Sequence, residues 1–174
     1  MKHLFCLLTL LACVSCDDGD LQIETLDFED GLINSCNSVI KVDEDNLLFK
    51  INTEEALIME IPANLLQNEV TIDPIISTVG NGSTNTTITY RIFSDNVTAN
   101  YFCSTIPPST PSVVQEIVAS EGVVSIITKD TLVNDIPGFR HEININSISL
   151  ITSQGQRITD LSVEEFGAIA TFPE

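Results

Sequence analysis

The density of β-branched residues constrains the fold of this chain more than any other feature. Residues 17–174 contain 22 Ile, 12 Val and 16 Thr. These side chains are stiff at χ1 and pack well on a pleated surface, so they favour strands over helices. In the segment 87–92, Ile88, Tyr90 and Ile92 share one face and polar side chains occupy the other, as in a half-buried strand. The sequence therefore predicts a strand-rich chain.

About ten short strands are predicted, most of them bounded by turn-forming residues. Two short helical pieces are expected near 63–68 and 163–166. The apolar alternation over 143–150 slips by one residue at Asn146-Ser147, which predicts a β-bulge. Asn81-Gly82 lies between two β-type runs and is the predicted hairpin turn. The predicted strands are 21–28, 38–42, 46–51, 56–61, 69–78, 87–92, 97–103, 113–119, 122–129, 139–151 and 156–171 in two pieces.

The predicted fold class is all-β: a single antiparallel β-sandwich, Ig-like or jelly-roll-like, with a β-barrel as the alternative. A chain of 174 residues with 43% hydrophobic residues can bury one sizeable core. Segment 105–112 carries three prolines and cannot pair as a central strand. Because the halves on either side are small for independent cores, this segment is interpreted as a stiff connection inside one domain.

The charge of the chain excludes one class of partner. Seven basic residues stand against 25 acidic ones, and the formal net charge is −18. Such a chain repels a phosphate backbone and lacks the counterion release that drives nucleic-acid binding. Nucleic acid is therefore excluded as a partner. A plain anionic membrane surface is also unfavourable, unless a covalent anchor holds the chain there.

The first 16 residues carry the pattern of such an anchor. A basic start precedes a short apolar run over 4–11, which is too short to span a bilayer, and the run is followed by Cys13 and Cys16. This pattern resembles the lipobox of bacterial lipoproteins, in which the cysteine is lipidated and becomes the first residue of the mature protein. The resemblance implies lipidation of Cys16, with Cys13 as the alternative. The signal segment is expected to be helical.

Cysteine parity favours Cys16 as the lipidated residue. The five cysteines are Cys6, Cys13, Cys16, Cys36 and Cys103. Lipidation at Cys16 removes the first two with the signal and leaves an even pair, whereas lipidation at Cys13 leaves a spare thiol in an oxidising compartment. A bridge between the last two cysteines closes a long loop, for which the chain-entropy account gives roughly 4 kcal/mol. The sequence therefore predicts a disulfide between Cys36 and Cys103.

An acidic cluster follows the lipidation site directly, at Asp17, Asp18 and Asp20. This cluster resembles the acidic export signal of Bacteroidota-type lipoproteins that reach the outer face of the outer membrane. In the enterobacterial sorting scheme, an aspartate after the cysteine instead implies retention at the inner membrane, and a solvated spacer is the third interpretation. The remaining chain, in segments such as 56–62 and 100–108, resembles short flavobacterial lipoproteins of unknown function.

The predicted organisation has three parts. Residues 1–15 are a lipoprotein signal peptide, residues 16–20 are the lipidated cysteine with its acidic tether, and residues 21–174 are a single β-sandwich domain. Loss of the signal removes Lys2, so the mature chain has 6 basic and 25 acidic residues and a net charge of −19.

Few residues of the mature chain carry recognisable chemistry. His141 is the only histidine after the signal, no nucleophile motif accompanies it, and it is interpreted as a surface residue at the start of a strand. Asp43 and Asp45 lie in the densest acidic turn and are a calcium candidate. That turn lacks the spacing of an EF-hand, so a solvated hairpin turn is the stronger interpretation. Thr131 lies in an Asp-Thr-Leu sequence that resembles the O-glycosylation sequon of Bacteroidota.

The expected function is that of a lipid-anchored cell-envelope protein with a non-catalytic binding or structural role. We expect it on the outer membrane, surface-exposed or periplasm-facing, with no cofactor, since residues 17–174 contain no CxxC, HExxH or phosphate-loop motif. Its acidity favours basic or cation-bridged partners, either an envelope protein or an extracellular ligand. The alternatives are a small carboxylate-based hydrolase acting on envelope or polysaccharide material, weakened by the lack of Trp, and an accessory subunit of an outer-membrane uptake or secretion complex.

Overall fold

The structure, a computed structural model, describes residues 25, 26, 28, 30–152, 155, 157, 158, 160, 161 and 164–173. These residues form many strands and one short helix. In chain order, the elements are β1 (Thr25–Leu26), β2 (Asn34–Ser35), β3 (Asn46–Asn52), β4 (Glu55–Ile61), β5 (Ile75–Val79), β6 (Thr87–Phe93), α1 (Ala99–Cys103), β7 (Val113–Val133), β8 (Ile136–Ile151), β9 (Arg157–Ile158), β10 (Asp160–Leu161) and β11 (Glu165–Thr171).

One large antiparallel sheet dominates the fold. Its strands follow the order β11-β8-β7-β6-β4-β3-β2, with β5 attached to β7 and β9 attached to β8. A short parallel ladder joins β1 to β10 outside this sheet. The sheet curls into a half-barrel. The predicted all-β class and antiparallel pairing are confirmed, and the curled sheet is consistent with either the sandwich or the barrel.

The long strand β7 forms the corner at which the sheet turns over. Residues 113–118 of β7 pair with β6, whereas residues 122–126 pair with β5. The pairing with β8 begins at Ala119, and the register slips between Ala119 and Glu121. A bulge lets a strand bend and pass from one layer to the next. The strand β7 therefore belongs to both halves of the curled sheet, and its early part was predicted as a separate strand.

The main core lies between the two halves of the curled sheet. Leu57 and Met59 of β4 belong to the same buried cluster as Ile126 of β7 and Ile143 of β8. These residues recur at every second position along their strands, which is the period that places side chains on one face. Burial of each such side chain contributes about 1.5–3 kcal/mol relative to exposure. The alternation seen in the sequence is therefore the pattern that closes the fold.

Several local predictions are wrong. The segment 97–103, predicted as a strand, contains the helix α1, because its aromatic residues pack onto the outside of the sheet instead of joining it. The segment 63–68, predicted as helical, forms turns, with Asn64 in the left-handed region at φ 66°. Segment 38–42, predicted as a strand, is irregular. At 165–166, where the second helical piece was expected, β11 begins.

The predicted hairpin turn at Asn81-Gly82 is also wrong. This segment is a turn, but β5 before it pairs with β7, and β6 after it pairs with β4 and β7. The turn between the two longest strands is Asn134-Asp135, with φ values of 51° and 65°. Positive φ at both central residues is the type I′ geometry that suits the twist of a hairpin. Asn and Asp tolerate this region, so a glycine is not needed there.

The predicted bulge in 143–150 is confirmed. Val123 pairs with Ser147 and the next residue, Val124, pairs with Ile145, so Asn146 has no partner across the β7–β8 ladder. The extra residue resets the alternation, so that Ile145 and Ile148 are both buried although three positions separate them. The break in the apolar alternation of the sequence therefore marks the position of the β-bulge in the sheet.

Candidate functional site

The residues of the predicted anchor and export signal lie outside the described residues. They are Cys16, its alternative Cys13, and Asp17, Asp18 and Asp20. The first residue that the structure describes is Thr25, so lipidation and export stay predictions. Within the described part of the chain, no helix has the length and apolar character needed to cross a membrane.

Cys36 and Cys103 form the predicted disulfide. Their sulfur atoms are 2.07 Å apart. Cys36 directly follows β2, and Cys103 is the last residue of α1. The bond therefore ties the helix to the strand at one end of the sheet.

Aromatic side chains hold α1 against the outer face of the sheet. Phe102 packs on Phe49 of β3 with ring centroids 4.3 Å apart, and Tyr101 meets Phe93 of β6 at 4.9 Å. Together with Ile58 of β4, they form a second apolar cluster apart from the main core. Such ring pairs stabilise the fold by more than the burial of their surface area alone would. The helix and its disulfide therefore cover this face.

The acidic turn with Asp43 and Asp45 is closed by its own hydrogen bonds. Asp45 Oδ1 accepts from the Ala63 backbone N–H at 2.8 Å, and Asn46 Nδ2 donates to the carbonyl oxygens of residues 41 and 44. These contacts agree with the interpretation as a solvated turn. In the ranges that the structure describes, no three Asp, Glu, His or Cys side chains gather as a metal site. Calcium binding by this turn stays an untested hypothesis.

Thr131, the O-glycosylation candidate, lies on β7 opposite Gly138 of β8, close to the hairpin turn. Its side chain is half-buried and lines a shallow groove with Leu132 and Pro137. Leu132 is 68% exposed, so the sequon lies near an exposed hairpin tip. Glycosylation of Thr131 stays a prediction.

The position of His141 contradicts the sequence interpretation. The residue was expected at the surface, but its exposed fraction is 0%. It lies inside β8, and its Nδ1 is 2.9 Å from Thr128 Oγ1 of β7. Its Nε2 is 2.8 Å from Thr171 Oγ1 of β11. The charged neighbours Arg140 and Glu142 suggested exposure, but alternate residues of a strand point to opposite faces.

The hydrogen-bond chain around His141 fixes which nitrogen of the neutral ring carries the proton. The Thr171 hydroxyl donates to Asn68 Oδ1, so it accepts the proton of His141 Nε2. Nδ1 then carries a lone pair and accepts from the Thr128 hydroxyl. Because burial removes water from the charged form, it lowers the pKa of His141 from 6.5 to about 4. His141 is therefore a neutral residue whose hydrogen bonds join three strands, and through Thr171 they reach the loop that carries Asn68.

The exposed face of β7 and β8 next to His141 carries a small ion-pair cluster. Glu142 Oε2 accepts from Lys129 Nζ at 2.6 Å, and Glu142 Oε1 accepts from Arg140 Nε at 3.5 Å. The hydrogen bond from Lys129 is the main cause that lowers the pKa of Glu142. Exposed ion pairs stabilise little, since water screens them. The cluster therefore marks a solvated sheet face.

An open cleft lies where the two ends of the curled sheet approach each other. One wall is formed by residues 30–33, which lead into β2, and the other by residues 164–168 at the start of β11. We call it the seam cleft. Its volume is about 680 Å³, within the range of ligand pockets. A Cβ on Gly167 would lie 2.9 Å from Ile33 Cδ1, so glycine lets the two walls meet at this point.

Three exposed carboxylates line the seam cleft. Asp30, Glu164 and Glu165 line it, and all three are exposed. Among the described residues that line the cleft, the only cation is Lys50, which is 2% exposed. Its Nζ donates to the Phe28 carbonyl oxygen at 2.8 Å. The ammonium is therefore engaged inside the protein, and the cleft presents negative charge to solvent.

Sequence reasoning missed both the His141 network and the seam cleft. The burial of His141 had a local signal, because it shares its parity along the strand with Ile143 and Ile145. The seam cleft had none, because its walls lie more than a hundred residues apart and meet only when the sheet curls.

Comparison with known proteins adds no family to this description. No family model, no curated protein and no solved structure matches the chain.

Proposed function

We propose that the chain is a lipid-anchored protein of the cell envelope, on the outer membrane, with a non-catalytic binding or structural role. The observation that carries the binding role is the seam cleft, which combines an open groove, exposed carboxylates and the edge of β11. Clefts and unpaired strand edges are common recognition surfaces, because they offer shape and main-chain hydrogen-bonding groups.

The disulfide supports an envelope location. Disulfides form and persist in oxidising compartments such as the bacterial periplasm and cell surfaces, and they are rare in the cytosol. The bond between Cys36 and Cys103 joins segments that are distant in the chain, and Cys103 ends the helix whose aromatic residues pack in the second apolar cluster. The lipobox-like sequence ending at Cys16 supports the anchor itself.

The anchor is tested by mass spectrometry and cell fractionation. We expect an acylated N-terminal peptide that begins at Cys16, and we expect Cys16→Ala to release the protein from the outer-membrane fraction. Cys13→Ala is the matched control and should leave both results unchanged. Membrane association and acylation that survive Cys16→Ala would contradict the proposed anchor.

The orientation of the protein is tested with proteinase K on intact cells, with a periplasmic protein as the lysis control. Loss of the protein while the control survives would indicate a surface role. Full protection in intact cells, with digestion after lysis, would indicate a role facing the periplasm. In that case Asp17, Asp18 and Asp20 act as a spacer.

One observation favours the alternative of a carboxylate-based hydrolase: Asp30, Glu164 and Glu165 line the same cleft. The general acid of a glycosidase is typically held in an apolar pocket, whereas these three side chains are exposed. Release of reducing sugar from envelope polysaccharide by the wild type, abolished by Glu165→Gln or Asp30→Asn, would favour the hydrolase over the binding role.

A further inference from the structure

We propose that the seam cleft binds an extended, lysine- or arginine-bearing segment of a partner protein, which pairs with the edge of β11. This inference rests on the proposed binding function and names the class of partner. Three observations carry it: the edge of β11 that no described strand pairs with, the apolar side chains of Leu32 and Ile33 on the opposite wall, and the exposed carboxylates that line the cleft.

The edge of β11 can offer main-chain groups to an extended segment. Within the described residues, β11 pairs with β8 alone. Proteins usually protect a strand edge with charges, prolines or bulges. Here the bulge lies at the start of β11, between Glu165 and Gly167, and Pro173 lies beyond its end. Ala168, Ile169 and Ala170 after the bulge carry no charge, and Ala168 lines the cleft. Addition of a strand to such an edge is a common mode of peptide recognition.

The opposite wall of the seam cleft carries two apolar side chains, Leu32 and Ile33. Leu32 is 84% exposed at its rim, and Ile33 packs against Gly167. Side chains of an extended segment alternate between two faces. One row of the bound segment can therefore cover Leu32, while the other row reaches the rim. Burial of a large exposed apolar side chain by a partner makes the free energy of binding more favourable.

The rim determines the charge of the occupant. Asp30, Glu164 and Glu165 are exposed, and the buried ammonium of Lys50 is engaged by Phe28. Complementary charge steers association and excludes partners of the wrong sign. A second copy of this chain, with a net charge of −18, is repelled by the rim. A segment that bears Lys or Arg is attracted to it.

The inference is tested by fluorescence anisotropy with the full mature chain and two labelled peptides. Both peptides are about eight residues long, the length of an ordinary strand. One alternates valine with lysine, and the other alternates valine with glutamate. We expect the lysine peptide to bind at least about tenfold more tightly, since charge complementarity selects the partner. No binding of the lysine peptide, or equal binding of both peptides, would overturn the proposal.

Charge-reversal variants locate the site. The double variant E164K/E165K should weaken binding of the lysine peptide about tenfold, because both charges line the cleft. The control D43K/D95K changes the net charge equally at exposed positions outside the cleft. It should weaken binding less than about threefold, since salt screens distant charges. Equal losses in the two variants would show a general charge effect and overturn the site. Leu32→Ser should also weaken binding, and its failure to do so would contradict the apolar wall.

Strand pairing is tested with the lysine peptide methylated at alternate backbone nitrogens, which cannot complete a ladder on its blocked edge. We expect methylation along one edge to abolish binding and methylation along the other to leave it intact. Binding that is insensitive to both patterns would overturn pairing with β11. These assays are independent of lipidation, so a negative result removes this inference, while fractionation and protease treatment judge the proposed function separately.

Discussion

His141→Gln is the substitution that tests the folded structure most directly. The glutamine amide has no pKa in the accessible range, but it can still reach one of the two hydroxyl groups that the imidazole joins. We expect the variant to lose about 1–3 kcal/mol at pH 7.5, because one of the buried partners of the ring, Thr128 or Thr171, loses its hydrogen bond. A loss of this size does not by itself identify a neutral buried imidazole, so the informative quantity is the pH dependence of the loss.

The sign of that dependence follows from the lowered pKa of His141. Above pH 6.5 the ring is neutral in both the folded and the unfolded state, and its contribution to stability is complete. Between pH 6.5 and about 4 the unfolded chain binds a proton that the folded chain excludes. Stability therefore falls as the pH falls, by about 1.4 kcal/mol per pH unit. The loss is about 2 kcal/mol at pH 5 and levels off near 3 kcal/mol below pH 4.

Urea unfolding of both proteins between pH 5 and pH 8, followed by far-UV circular dichroism, measures this loss. Carboxylates titrate in both proteins, so their effect cancels in the difference between wild type and variant. We expect the stability difference between the two proteins to shrink by about 2 kcal/mol from pH 8 to pH 5. Parallel stability curves over this range would refute the assignment of His141 as a buried neutral group.

Three further experiments test other parts of the fold. Replacement of both disulfide cysteines by alanine should lower the free energy of unfolding by roughly 4 kcal/mol, measured by urea titration against the oxidised wild type, and an unchanged value would contradict the entropic argument. Phe102→Ala should lower the free energy of unfolding, measured by thermal unfolding, by about 2 kcal/mol, because its half-buried ring packs in the aromatic cluster of α1. The control Ile106→Ala, at a residue that is 83% exposed, should leave the free energy of unfolding almost unchanged. Gly122→Ala places a Cβ in steric overlap with the Ser147 carbonyl oxygen and should lower the free energy of unfolding by about 2 kcal/mol or more. Gly31→Ala, whose added Cβ has its nearest contact at 3.4 Å, should leave the free energy of unfolding almost unchanged. A smaller loss for Gly122→Ala than for Gly31→Ala would contradict the close packing at the sheet corner.

The features that the sequence predicted correctly are those with a local signal. Alternation located β3, β4, β6 and β8, and the slip at Asn146 predicted the bulge. Parity of the cysteines predicted the bond between Cys36 and Cys103, because counting does not require knowledge of the fold. These signals work since each depends on neighbouring residues or on composition alone.

The features that it predicted wrongly depend on distant partners. Asn81-Gly82 has the composition of a hairpin turn, but β5 and β6 find better partners on opposite stretches of β7. The aromatic residues of 97–103 suggest a strand, whereas Phe49 and Phe93 on distant strands draw them into a helix on the outer face. In both cases tertiary packing overrides local propensity.

The strand β11 belongs both to the hydrogen-bond network of His141 and to the wall of the seam cleft. Its Thr171 is held by His141, and Phe166 at its start is fully buried. A strand fixed near both ends presents its remaining edge in a defined geometry, so a binding segment need not order it first. In the proposed complex, the main-chain groups of this edge would supply affinity that depends little on the sequence of the partner, and the carboxylates of the cleft would select its charge. Loss of the His141 tie should therefore weaken peptide binding through β11, without any change in the charge of the cleft.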